Sequence, residues 1–321
     1  MPSVSLHLAL ADRVLERWQL TPETAPFDPW DSTSVRAFHH GAIGPDLGYF
    51  PGGERLLSDL AHRVRSVDLT RALIHAAGSS TERAFSWGWV THVLADRAIH
   101  PLVGRGVGEV MHGDPDRFVG GHHEPAVHLR VEIGLDVDCR RRYPTPPVGR
   151  MAPVFDPNSI QFLSETYRLI YGIEFGRWPF VTSHRAAARV SRGALLLTSL
   201  LARLHRSGPF SRAALLARGA LRRAHDEIAV RRGLATLTLA VLNPVPPSKW
   251  LMEAVDEEVR IFPATFAEHF DTRLEGLENF DLDTGQPDVP GFPTPVAQEI
   301  LRKVEYLDAL EGEIVLPWSS A

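Results

Sequence analysis

The sequence predicts an all-α protein, a multi-helix bundle, on three observations. Apolar residues recur at steps of three and four, as at Leu6, Leu10, Val14 and Leu15, which is the spacing of one helical face. No segment alternates apolar and polar residues over the length of a strand, and no stretch repeats. Proline- and glycine-rich runs punctuate the periodic segments. At 321 residues, 44% hydrophobic and 23% charged, the chain suffices for one large domain or two small ones.

The elements follow in order. A helix is expected over Leu6–Leu20, then a proline-rich loop, "TPETAPFDPWD" (21–31). "AFHHGAIGPDLGYFPGG" (37–53) begins helical and breaks at Gly44-Pro45. One helix is expected through Glu54–Ala77, with Leu56, Leu57, Leu60, Ala61 and Val64 inward. Ser80 is the expected cap of the next helix, from about 81 to 99, with Arg83 at the third position. Pro101 disfavours helical geometry at His100, so that helix should end there. The glycine-rich 104–121 reads as a loop and Pro125–Cys139 as a helix. A second proline-rich crossing, 143–157, is the expected seam. Beyond it helices are expected near 158–174, 183–206, 210–232, 234–242, 248–271 and 294–312, with a loop at 277–295. The chain then divides into a metal-binding part, 1–142, and a helical C-terminal part, 158–321, packed on it as one unit.

Composition narrows the function classes. A net charge of −5 gives no general reason to expect nucleic-acid binding. The longest apolar stretch, "ALLLTSLLARL" (194–204), is too short and too polar for a spanning helix. The N-terminus lacks a basic start, and Cys139 stands alone, so no intrachain disulfide can form. Both point to the cytoplasm. Between Arg177 and Arg232 there are 12 arginines against Asp226 and Glu227. This segment suits either weak contact with an anionic surface or a solvated face balanced by the acidic stretch from Glu253 to Glu313.

The histidines are unevenly spread: 11 of 15 fall in the first 132 residues, where an even spread puts about six. In "THVLADRAIHP" (91–101), His92, Asp96 and His100 stand four apart. Each such step advances a helix by about 40° beyond a full turn and about 6 Å along its axis, so the three share a face. His128 and Glu132 repeat the step, His62 and His7 sit on helices of their own, and Asp46 follows the Gly-Pro break. Any one pair alone reads as a surface ion pair. Together they read as a multi-metal site between helices. All donors are nitrogen or oxygen, which suits zinc and leaves manganese and iron open. At most one of the adjacent His39 and His40 fits as a ligand, and His75 and His112 read as surface residues or supports of a ligand. His122 and His123 are loop residues or alternatives to His100, and the four C-terminal histidines have no such pairing.

"AFHHGAIGPDLGYFPGG", "DLAH", "AFSWGWVTHVLADRAIHP" and "HLRVEIGLD" together resemble the zinc-dependent phospholipase C family, over roughly residues 1–140. That family shares its all-helical fold with the single-strand-specific zinc nucleases. The resemblance implies two to three zinc ions. His62, His92 and Asp96 would hold the first, and His100, His128 and Glu132 the second. Asp96 would bridge to a third, which His7 also binds, and Asp46 would orient or deprotonate the attacking water. The family usually spaces the histidine of the second site further from the aspartate, and its secreted members use a processed N-terminal residue at the third. The implied activity is a phospholipase C-like phosphodiesterase, and the implied partner a small-molecule or lipid phosphoester, with no obligate nucleic acid. A nuclease or nucleotidase, a biosynthetic enzyme using the same metals, and a non-catalytic metal-stabilised scaffold are the alternatives.

Overall fold

A computed structural model describes residues 4–50, 52–143, 159–173, 182–183, 186, 240 and 243–286. Its helices are α1 (Val4–Leu20), α2 (Ser32–Ala42), α3 (Arg55–Arg63), α4 (Ser66–Ala76), α5 (Ser80–His112), α6 (Pro125–Arg142), α7 (Ser159–Tyr171) and α8 (Lys249–Asp271). A 3-10 turn, Pro45–Tyr49, follows α2, and no strand lies among the described residues, so the fold is all-α as expected. No described helix is long and apolar enough to cross a membrane. The predicted helices at 183–206, 210–232, 234–242 and 294–312, the seam beyond Tyr143 and the Arg177–Arg232 segment lie, but for a few isolated positions, outside the described residues.

Helix α5 is the axis of the bundle. It packs against α1, α2, α4, α6 and α8, while α7 lies on α4. The closest crossing is with α2, where glycines replace side chains at both contacts. A Cβ on Gly41 would lie 2.0 Å from the Phe85 carbonyl oxygen, and one on Gly88 would lie 2.0 Å from that of Phe38. The aromatic Trp18 of α1 meets Phe27, Phe38, Phe266 and Phe270 edge-on, with centroids 5.4–5.5 Å apart. These contacts bind α8 to the N-terminal helices through a large apolar area with favourable ring geometry.

Three local expectations are corrected. The single helix over 54–77 is two, because Arg65 takes a left-handed conformation (φ 49°) between them. The N-terminus of α4 has no capping side chain of its own. Asn279 supplies one from far along the chain, its Oδ1 accepting from the amides of Val67 (2.9 Å) and Asp68 (3.0 Å). Second, Ser79 caps α5, not Ser80, and with Glu82 it closes a capping box.

Third, Pro101 does not stop α5, which runs on to His112 and ends at Gly113 in a left-handed turn (φ 70°). A proline inside a helix costs about 3 kcal/mol. Burial on both sides of it, at Ile99, Val103 and Val107, offsets that cost. The following glycines serve close packing rather than a loop. A Cβ on Gly104 would lie 2.3 Å from the Phe118 ring, and one on Gly108 would lie 1.6 Å from the Arg117 carbonyl oxygen.

The α2–α5 crossing should be intolerant of a single methyl group. Gly88→Ala should lower the urea midpoint by the equivalent of about 1–3 kcal/mol or more, at an unchanged slope. Gly78→Ala, whose nearest neighbour would be 3.6 Å away, should change little. Equal midpoints for the two variants would refute the close crossing.

Candidate metal centre

The residues singled out in the sequence converge on one buried place. His7 comes from α1, Asp46 from the 3-10 turn and His62 from α3. His92, Asp96 and His100 come from α5, and His128 and Glu132 from α6. None is more than 6% exposed. Their donor atoms form three groups, each with all its atoms within 4.8 Å of one another: His7, His92 and Asp96; Asp46, His62 and His92; His100, His128 and Glu132. Asp96 stands between the groups. One of its oxygens is 3.1 Å from His92 Nε2 and 3.5 Å from His62 Nε2. The other is 3.2 Å from His7 Nε2 and 3.5 Å from His100 Nε2.

Helical spacing delivers these side chains, and backbone carbonyls aim them. The Nδ1–H of His62 donates to the Ser58 carbonyl (2.7 Å), that of His92 to Ala42 (2.9 Å) and that of His100 to Leu282 (2.6 Å). In its neutral form, with the proton on Nδ1, each ring carries its lone pair on Nε2, toward the centre. The Nε2 atoms of His62, His92 and His100 and both Asp46 oxygens are buried without a hydrogen bond among the described residues. Buried polar atoms left so are costly unless they bind something else. A set of imidazole nitrogens and carboxylate oxygens fits a divalent transition metal. His7 is held differently: its ring stacks on His92 at 4.0 Å and 8°.

The electrostatics are those of a site that expects cations. Burial works against charge on His100, but the carboxylates of Asp96, Glu132 and Asp283 outweigh it and raise its pKa to about 10. His92 is raised in the same way, with burial outweighed by Asp96 and Asp46. Burial and the neighbouring His92 instead lower His7. Burial would raise Asp96, yet His100, His92 and His7 together hold it well below the usual carboxylate range. Glu132 is also held well below that range, because surrounding positive charge, including His128, outweighs its burial.

The remaining candidates fall elsewhere. His39 pairs with Asp12 of α1 (Nε2–Oδ1 2.6 Å), and neither His39 nor His40 joins the three groups. His122 and His123 are exposed with ring centroids 3.9 Å apart, and the His100 position is taken by His100 itself, 3.3 Å from Glu132. His75 and His112 are exposed. Sequence reasoning missed the carbonyls of Ser58, Ala42 and Leu282, since a backbone acceptor leaves no mark in residue type. It also missed Asp283, whose carboxylate pairs with Arg63 and lies 3.9 Å from His100 Nδ1.

A helical bundle with overlapping groups of buried histidines and carboxylates at its axis defines an all-α protein with candidate metal-binding groups between its helices. The family model described as zinc dependent phospholipase C matches residues 6–167, about half the chain, and the chain belongs to that family. All eight converging residues lie inside the matched span, whereas Leu282 and Asp283 lie beyond it. No curated protein and no solved structure matches the chain.

The metal-free protein should lose stability on the alkaline side. His100 has a folded pKa of about 10 against an ordinary 6.5, so its contribution is complete below pH 6.5 and disappears as pH rises toward 10. Asp96 and Glu132, held low, contribute above about pH 4 and lose that contribution in acid. His7, held below its ordinary value, also subtracts stability as pH falls below 6.5. Thermal melts in excess chelator should therefore fall steadily from pH 6.5 to 10, and a flat profile over that window would contradict the assignment.

Proposed function

We propose that the chain is a zinc-dependent hydrolase that cleaves a phosphate ester at this centre, as a phospholipase C-like phosphodiesterase acting on a small-molecule or lipid substrate in the cytoplasm. The observation that carries the reading is the overlap of the donor groups: His92 belongs to two of them, and Asp96 touches donors of all three. Overlapping groups suit ions held close together, the arrangement that phosphoryl transfer uses. Family membership supports the same chemistry.

In this reading His62, His92 and Asp96 hold one ion, and His100, His128 and Glu132 a second. Asp96 and His7 hold a third. When bound, zinc supplies Lewis acidity toward phosphoryl oxygens and lowers the pKa of water to about 7. Against the three carboxylates Asp46, Asp96 and Glu132, two divalent ions would leave the centre one unit positive and three would leave it three units positive, so with either number it would suit an anion. Asp46 orients the attacking water and accepts its proton; both of its oxygens are buried and without a hydrogen bond among the described residues. The bundle excludes bulk water from the donors, which strengthens every charge interaction there.

Zinc content, melting temperature and hydrolysis together test this. Elemental analysis of protein expressed with zinc should give two to three equivalents, and chelation should lower the melting temperature, because the donors come from α1, α3, α5, α6 and the 3-10 turn. Fewer than one equivalent would refute the metal reading. Asp46→Asn should keep near-normal zinc while hydrolysis of a chromogenic phosphodiester falls by roughly 10²-fold or more. Asp96→Asn should instead lose zinc. The reverse pattern would exchange the two roles. Parallel assays with phosphatidylcholine, a phosphomonoester and single-stranded DNA assign the substrate class, and inactivity on all four would reject phosphoester hydrolysis.

A further inference from the structure

The segment that follows α8 reaches back to the centre, and one residue of it touches two of the helices that carry donors. Leu282 donates its amide to the carbonyl of His62 (2.7 Å) and accepts from His100 Nδ1–H through its own carbonyl (2.6 Å). Its side chain is fully buried. The next residue, Asp283, pairs with Arg63, the neighbour of His62. A single dipeptide therefore connects α3, which carries a donor of one group, to α5, which carries a donor of another.

The segment is itself tightly held. Asp281 Oδ1 accepts from the amides of Asp283 (2.8 Å) and Thr284 (3.3 Å), and the Gly285 amide returns to the Asp281 carbonyl (2.7 Å). Ser66 Oγ donates to the Phe280 carbonyl (2.7 Å), and the Arg97 guanidinium stacks over the Phe280 ring (5.4 Å). Gly285, in a left-handed conformation (φ 69°), abuts the Pro101 ring, from which a Cβ would stand only 3.3 Å. The carbonyls that aim His62 and His92 lie within residues 6–167. The one that aims His100 does not.

Resting on the reading of the centre as a metal site, we infer that residues 279–286 are a positioning clasp. Asp283 and Arg63 are its fastening, and the zinc affinity of the His100–His128–Glu132 group is what it sets. The clasp touches no substrate. It acts by holding the Leu282 carbonyl where it fixes the tautomer and angle of the His100 ring, and groups that orient a ligand in this way are typically worth about 10–100-fold in metal affinity.

The test uses the full chain and zinc itself, titrated in competition with a chromogenic chelator. His100→Ala identifies which class of bound zinc belongs to its group. Asp283→Ala and Arg63→Ala should each weaken that class by roughly 10–100-fold and leave the other classes within about threefold. The exchanged pair, Arg63→Asp with Asp283→Arg, should recover much of the loss. Glu109→Gln, which loosens α8 through Ser248 and Trp250, serves as a structural control that should lower the melting temperature and change no zinc class. If Asp283→Ala does not fold, Asp283→Asn, which removes only the charge, should show a smaller loss of the same class.

Variants that melt like the Glu109→Gln control with every zinc class intact would overturn the clasp. So would a loss confined to a class that survives in His100→Ala. Zinc binding of the expected pattern with no phosphoester hydrolysis would remove the functional proposal and leave the clasp standing. A native chain that binds no zinc would remove both.

Discussion

Three carboxylates and five imidazoles sit together in the interior, none more than 6% exposed, and the rest of the molecule is arranged around that burden. Ionised groups removed from water are unfavourable by several kcal/mol each unless paired or bound to metal. The chain answers with geometry. The carbonyls of Ser58, Ala42 and Leu282 take the outer nitrogens of three rings, which leaves the inner nitrogens and the carboxylates facing one another. The glycine-lined crossing of α2 on α5 brings the end of α2 close enough for Ala42 to serve His92. Asp136 holds the start of α1 on α6 through the Ser5 amide (2.6 Å) and hydroxyl (3.1 Å), so His7 meets the same centre.

Much of this was legible in the sequence for a simple reason. A helix repeats its face every three to four residues, so His92, Asp96 and His100, or His128 and Glu132, declare a shared side by spacing alone. His7, His62 and Asp46 declare nothing alone; they became readable through the order of motifs that the chain shares with its family. The all-α class was legible from the same periodicity. What failed was local. Pro101 and the glycines after it carry the marks of a helix end and a loop, yet tertiary packing overrides them, because Gly104 and Gly108 are small for the sake of Phe118 and Arg117. The break at Arg65 had no legible partner either, since its compensating cap is Asn279, more than 200 residues away.

The stretch matched by the family ends at residue 167, but the contacts of the centre do not. Helix α8 reaches the core through Phe262 and Phe266, and Trp18 meets Phe266 and Phe270 from α1. The residues just beyond α8 cap α4, stack on Arg97 and aim His100. The described part of the C-terminal region thus belongs to the same core as the histidines.

The 182-residue separation between His100 and Leu282 also sets a timetable. Chains emerge during synthesis at about 5–20 residues per second, so His100 waits roughly 10–40 s for the carbonyl that orients it. Contacts of such long range also make folding slow, because a large loop must close before they form. During that interval the earlier helices are present while one donor group lacks its final alignment. A nascent chain can gather its histidines early, yet the centre matures only once Leu282 has been made.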